Sequence, residues 1–342
     1  MQSSPLVSVI IVAWNSKAYL STCLSRLVSQ TFKDFEIILV DNGSSDGALD
    51  GLEEDYPSLT LKIERLDTNR GFAAANNIGA RLARGRWLAL LNADAFPEPD
   101  WLEELLKATK NNPDFSSFSS RQIQARNPAY LDGTGDGYHV SGVAWRRNID
   151  VLSAQFGLSL EEIFSPCAAA AFYLRDAFLE VRGFDEDFFS YFEDVDLGFR
   201  LRIRGYRALY VPTGVVQHVG SATFGMNSDF SLYHSHRNLV WTFFKNMPPR
   251  LFWMYLPAHA LANLFYVLYY TISGRGKVLW KAKRDAIRNL SSVLKKRKEI
   301  QKTRTVTDAD LLRAMDRSWL QPYLRSFRHR RAVTKLSKQR SR

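Results

Sequence analysis

The chain has 342 residues, of which 46% are hydrophobic and 13% aromatic; that is enough to fill a sizeable core and excludes a disordered, collagen-like or low-complexity protein. Its two cysteines, Cys23 and Cys167, are too few for a disulfide scaffold or a cysteine zinc site. The net charge of +11 is unevenly spread, with 22 Lys/Arg against 30 Asp/Glu in residues 1–240 and 24 against 5 in residues 241–342, so the two parts face different partners.

The N-terminus carries no basic run, and the apolar stretch Leu6–Ala13 is short for a signal-peptide core; a cytosol-facing chain is expected. From there, short β-branched runs alternate with helix-length amphipathic segments. The pattern predicts strands over Val7–Ala13, Glu36–Val40, Leu59–Glu64 and Trp87–Leu91. It predicts helices over Lys17–Val28, Gly71–Ala83 and Asp100–Lys110. Such alternation implies βαβ units, hence an α/β fold with a mostly parallel sheet covered on both faces. Ligands bind such sheets outside the carboxyl ends of the strands, where the turns Trp14-Asn15-Ser16, Asp41–Gly47 and Asn92-Ala93-Asp94 would lie.

Residues 111–160 are harder to read. Pro113 and Pro128 break periodicity, and Gly133, Gly135 and Gly137 crowd around Asp132 and Asp136. A long irregular loop is expected, either a binding or lid element or a plain surface insertion. The small-residue run Cys167–Ala171 then leads into Phe172-Tyr173-Leu174 and a helix over Arg175–Val181. A further helix is expected over Val195–Gly205, and a strand over Arg207–Val211 closed by Pro212. Residues 251–272 hold no charged side chain, and beyond them lies the basic cluster Lys295-Lys296-Arg297-Lys298.

Four groups could carry chemistry. Asp94, two residues after Asn92 at a strand end, could hold a divalent cation through oxygen ligands or cap the following helix. The Asp41–Gly47 loop offers either ordinary turn chemistry or a carboxylate, Asp41, for a base or ribose. Glu193, Asp194 and Asp196 stand three in four positions behind Phe188, Phe189, Tyr191 and Phe192. They are either a tuned general-base cluster or an acidic first helical turn. His218 is a metal or phosphate contact or a structural histidine. Neither GxxxxGK[ST] nor a strand-linked GxGxxG occurs, which lowers the P-loop and dinucleotide readings.

Taken together, the motifs resemble a known family. Val7–Asn15 and Val40-Asp41-Asn42-Gly43-Ser44-Ser45-Asp46-Gly47 resemble the opening of the family 2 inverting glycosyltransferases of GT-A fold. Asn69–Gly79, Leu91-Asn92-Ala93-Asp94 and Phe192-Glu193-Asp194-Val195-Asp196 look like the rest of that signature, most like the bacterial rhamnosyltransferase-like group that builds cell-surface polysaccharide. The match runs from about Val7 to Ala222. It implies a GT-A (Rossmann-like) domain over 1–228, with a donor half of about 1–110 and an acceptor half of about 111–228, then a C-terminal helical basic region over 229–342.

The resemblance also implies roles. Asp41 and Asn42 would contact the nucleotide, with Ala13, Trp14 and Asn15 lining the same pocket and Arg70, Gly71, Asn76, Asn92 and Ala93 completing the nucleotide-sugar site. Asp94 and His218 would hold a divalent cation, Mn²⁺ or Mg²⁺; Asn92 replaces the metal motif's usual first carboxylate and removes a negative charge. Asp194 matches the catalytic base, with Glu193 beside it orienting acceptor hydroxyls. The expected donor is a dTDP-rhamnose or UDP-sugar type nucleotide sugar, and the acceptor a glycan or lipid-linked glycan.

Uncharged Leu251–Ile272 suits an interfacial helix, with Trp253, Leu256, Leu261, Leu264 and Leu268 at helical spacing. A packed core helix and a membrane span are the alternatives. With its cationic flanks the chain is expected peripherally on the anionic inner face of the cell membrane. A basic nucleic-acid-binding protein is disfavoured by the acidic first 240 residues, and a silent sugar-binding scaffold by the intact Glu193-Asp194 pair.

Overall fold

β-Branched and leucine-rich runs set the architecture. The computed structural model describes residues 4–220 and 228–318. β1 (Val7–Ala13), α1 (Lys17–Val28), β2 (Phe35–Asp41), the short α2 (Leu52–Asp55), β3 (Leu61–Arg65), α3 (Phe72–Leu82) and β4 (Trp87–Asn92) form successive βαβ units. Then come β5 (Ala95–Pro97), α4 (Trp101–Asn111), β6 (Ser117–Gln124), β7 (Leu131–Gly133), β8 (Asp136–Tyr138), β9 (Ala144–Arg146) and β10 (Glu161–Ile163). β11 (Ala170–Leu174), α5 (Arg175–Glu180), α6 (Glu193–Ile203) and β12 (Ala208–His218) complete the α/β part. The C-terminal helices are α7 (Asp229–Asn246), α8 (Pro249–Ile272), α9 (Gly276–Arg288), α10 (Leu290–Lys302) and α11 (Asp308–Ala314).

The main sheet runs in the order β10-β12-β6-β11-β4-β1-β2-β3. β1 is parallel to β2 and β4, β2 to β3, and β12 to β6. β11 reverses direction between β4 and β6, so the sheet is mixed at its centre. Both faces of β1 and β4 are apolar because both are covered. Val9, Ile11 and Leu91 pack with Leu24 and Trp101 on one side. Ile10, Leu88 and Leu90 pack with Ala73, Ala80 and Leu197 on the other. Each such fully buried Leu or Ile contributes about 1.5–3 kcal/mol.

The alternating strands and helices lie close to where the pattern puts them, and three expectations change. Residues 111–160 are not one irregular loop: β6 lies inside the sheet between β11 and β12. Its sequence SFSSRQIQ is polar, yet Ser117, Ser119, Ser120 and Gln122 are buried, and Ser120 Oγ accepts a hydrogen bond from Trp101 Nε1 at 2.8 Å. The last strand does not stop at Pro212 but continues to His218, because its pairing with β6 shifts register between Val211 and Val215. A proline is tolerated at such a bulge, where no ladder N–H is required. Asp94 does not cap α4; the capping position is Asp100. Ala222 and the basic residues after Ser318 lie outside the described residues.

Candidate active site

The strand ends bring three loops together. The backbone N–H of Asn42 donates to the Ala13 carbonyl (2.8 Å), and Asn42 Oδ1 accepts from the Arg70 N–H (2.8 Å). Asn42 therefore ties the ends of β1 and β2 to the loop before α3. Asp41 is buried at the tip of β2, and its Oδ1 accepts the Ser44 N–H at 2.9 Å. Asn15 adopts φ 48°, and its Oδ1 accepts from the Ser45 N–H at 2.9 Å. Trp14 and Ser16 close the β1 turn through the Trp14 N–H to Ser16 Oγ at 3.2 Å, and Arg70 is exposed at the rim. Asn76 is buried and donates to the Phe72 carbonyl of its own helix at 2.9 Å.

Beyond β4, Ala93 is buried and Asp94 Oδ1 lies 3.3 Å from His218 Nε2. Asn92 Nδ2 is 3.4 Å from the same ring nitrogen. His218 Nδ1 bonds Asp132 Oδ2 at 2.9 Å, which also accepts from Arg146 at 2.8 Å. Burial opposes charge on the His218 ring, but Asp132 and Asp94 outweigh it and lift its pKa to about 9. Burial pushes the Asp94 carboxyl up, yet the His218 hydrogen bond and charge hold it below the ordinary carboxylate range. The Asp94 carboxylate and the His218 imidazole are donors that a divalent cation accepts, and the Asn92 side-chain amide stands beside them. Asp132 is then the outer carboxylate that orients the imidazole.

Arg146 bridges to the second half of the cleft: its other terminal nitrogen lies 2.8 Å from Cys167 Sγ. The ligand atoms of Asp136, Cys167 and Asp194 lie within 4.8 Å of one another. The guanidinium on the thiol makes this a poor cation site, since a metal-bound thiolate would need that position. Asp194, at the first turn of α6, accepts the Ala168 N–H on Oδ2 at 3.2 Å. Ala168 belongs to the segment whose Ala169 carbonyl accepts the Asn92 N–H at 2.9 Å, so the end of β4 and the first turn of α6 are tied to the same segment. Burial raises the Asp194 carboxyl, partly offset by the Ala168 N–H and Arg146. Burial and the Asp194 charge raise Glu193 well above its ordinary range. Asp136 is raised likewise by burial and by Asp194. A buried carboxylate whose pKa is raised is what general-base chemistry requires.

Asp196 does not join this set. It is fully buried and bonded to Arg200 Nε (2.8 Å), Lys245 Nζ (2.7 Å) and Asn246 Nδ2 (2.7 Å). The expected trio of mutually repelling carboxylates is a coupled pair, Glu193 and Asp194, and a third held in a separate ion network. Conversely, Asp132, Asp136 and Arg146 join this charge network from β7, β8 and β9, where the sequence predicts a loop. The only available signal was two aspartates among glycines.

A mixed sheet with its acidic cleft at the strand ends, backed by helices, defines a GT-A type nucleotide-sugar transferase fold. A family model described as Glycosyl transferase family 2 matches residues 8–182, just over half of the 342 residues. The chain belongs to glycosyl transferase family 2. Over 122 residues it is 33% identical to an uncharacterized glycosyltransferase of Haemophilus influenzae, covering 35% of this chain and 38% of that protein. The chain thus spans well under half of that relative. It is 28% identical over 261 residues to the N-acetylglucosaminyl-diphospho-decaprenol L-rhamnosyltransferase of Mycobacterium tuberculosis, covering 68% of this chain and 82% of that one. Its fold resembles a mannosyltransferase from Pyrobaculum calidifontis solved with GDP-Man and Mn²⁺, with a TM-score of 0.53, 19% identity, and 92% and 86% of the two chains covered.

Proposed function

We propose that this chain transfers a sugar from a nucleotide-diphosphate sugar, of the dTDP-rhamnose or UDP-sugar type, to a hydroxyl of a glycan or lipid-linked glycan. The transfer inverts the anomeric centre and serves cell-surface polysaccharide synthesis. The reading is supported above all by one observation: the ion-pair run Asp94–His218–Asp132–Arg146 ends on a guanidinium whose charge acts on Asp194. The rhamnosyltransferase relative, with its lipid-diphosphate acceptor in its name, supports the substrate class.

The residues divide the work. Asp41, Asn42 and the Ala13–Asn15 turn receive the nucleotide, with Arg70, Gly71 and Ala93 along the diphosphate. Asp94, His218 and Asn92 would hold Mn²⁺ or Mg²⁺; when bound, the cation supplies positive charge against the departing diphosphate. Asp194 takes the proton of the acceptor hydroxyl, whose oxygen attacks the anomeric carbon opposite the leaving group. Glu193, whose carboxyl pKa is raised by burial and the Asp194 charge, stands beside the base and orients the acceptor hydroxyl. A single displacement needs one base, unlike hydrolases that pair it with an acid. Residues 1–228 are read as the catalytic unit, with donor and acceptor halves meeting near residue 110, and 229–342 as the helical region that addresses the membrane.

α8 supports that last role. Its exposed positions Trp253, Pro257, Leu261, Leu264, Leu268 and Ile272 form one apolar stripe, while its polar His259 and Asn263 face inward, bonded to the Ser141 carbonyl and Lys283. α9 presents Lys277, Lys281, Arg284 and Arg288 beside it. An apolar stripe flanked by cations suits docking on an anionic leaflet.

The decisive experiment is Asp194→Asn, assayed with dTDP-rhamnose and UDP-sugars on a lipid-diphosphate N-acetylglucosamine acceptor. Donor binding is expected to persist and turnover to fall by about 10³-fold or more, in line with the loss of a general base. Unchanged transfer refutes the assignment.

A further inference from the structure

The segment that delivers Glu193 and Asp194 is held in an unfavourable backbone form. Phe189, Tyr191 and Phe192 all adopt left-handed conformations, with φ of 65°, 67° and 69°, which side chains with a Cβ seldom take. Such a run persists only where its surroundings over-determine it, and here they come from α7. Asn238, fully buried, aims Nδ2 at three carbonyls of the loop: Phe188 (3.0 Å), Ser190 (3.1 Å) and Tyr191 (2.7 Å). Arg237 Nε donates to Asn238 Oδ1 (2.9 Å), which fixes the amide so that its NH₂ faces the loop. Arg237 adds bonds to the Asp187 and Phe188 carbonyls, both at 2.9 Å.

The same loop touches the donor side. The Phe189 carbonyl accepts the Ala73 N–H at 3.1 Å, and its ring stands where a Cβ on Gly71 would fall, 2.6 Å away. The loop thus spans from the turn before α3 to the first turn of α6.

We propose that Asn238, oriented by Arg237, is a positioning residue for the transfer reaction: it staples the left-handed Phe189–Phe192 loop and so sets Asp194 in register with the donor. This rests on Asp194 being the base. The inference makes α7 a working part of the active site, although it touches no reacting atom and lies in the basic region after residue 228.

The test uses the full chain and two readouts. In Asn238→Ala, dTDP and UDP affinity, measured by calorimetry with Mn²⁺, is expected to stay within threefold of wild type, because the Ala13–Asn15 and Asp41–Ser45 turns are held by bonds among themselves rather than by α7. Turnover with dTDP-rhamnose or a UDP-sugar is expected to fall tenfold or more, and amide hydrogen exchange at Phe189–Asp194 to quicken. Adding Tyr191→Gly, which removes the penalty for positive φ, is expected to restore at least threefold of the lost turnover; a merely structural defect would not recover. Turnover within twofold of wild type in Asn238→Ala, or no recovery with Tyr191→Gly, overturns the proposal. Should Asn238→Ala prove insoluble, Arg237→Gln makes the same test with the amide left unoriented. Asp194→Asn, run alongside, separates the two ideas, since activity there refutes the base itself whatever Asn238 does.

Discussion

His218 shows how much one residue's chemistry depends on its neighbours. An isolated histidine says little in a sequence, but here Asp132 and Asp94 flank both ring nitrogens. Its pKa of about 9 in the folded chain exceeds the ordinary unfolded value of about 6.5. A group with a raised folded pKa stabilises fully below the unfolded value and loses that contribution as pH rises through the folded one. Without added metal, the ion pairs should therefore be worth up to about 3 kcal/mol below pH 6.5 and fade towards pH 9. Urea unfolding of wild type and His218→Gln in EDTA at pH 6 and pH 9.5 checks this; a constant gap between the two refutes it. Cation binding displaces the ring proton, so Mn²⁺ affinity is expected to rise with pH across the same window, as calorimetry would read. The motif aspartates Asp41, Asp94 and Asp194 were legible because they follow apolar strands or an aromatic run. Asp132, Asp136 and Arg146 were not, because only folding brings three short strands to the mouth of the cleft.

At the level of elements, the strands and helices of the first 110 residues follow from periodicity, since each apolar run is buried on both faces. β6 escaped because its interior positions are serine and glutamine rather than apolar; Ser120 meets the Trp101 indole and Gln122 the Cys167 carbonyl. The glycine-bearing turn before α3 has a defined reason for its residue: Gly71 sits at φ 86°, with the Phe189 ring 2.6 Å from an added Cβ. Gly71→Ala is expected to cost about 1–3 kcal/mol from the left-handed backbone alone, and more from the clash. Thermal unfolding would show it, and a melting midpoint within a degree of wild type would count against the packing described.

Across the whole molecule, the division into an acidic front and a basic rear is chemically real but not spatially simple. Lys296 of α10 pairs with Asp185 and Asp187, Lys245 of α7 with Asp185 and Asp196, and Gln301 bonds the Asn246 carbonyl. Deleting 249–342 would strip Lys296 from Asp185 and Asp187 and Gln301 from α7, so surface substitution is the cleaner probe of docking. Replacing Trp253, Leu261, Leu264 and Leu268 by serine should leave the fold intact and lower co-sedimentation with phosphatidylglycerol vesicles by about tenfold or more, given the apolar area lost. Equal sedimentation would remove α8 as the membrane face. The sequence by itself determined the strand–helix alternation, the family motifs and the charge asymmetry, because these are local patterns of burial and composition. Only the tertiary structure decided which carboxylates meet His218 and Arg146, which one is neutralised by Lys245 and Asn246, and which side of α8 is left bare, because each depends on partners that only folding brings together.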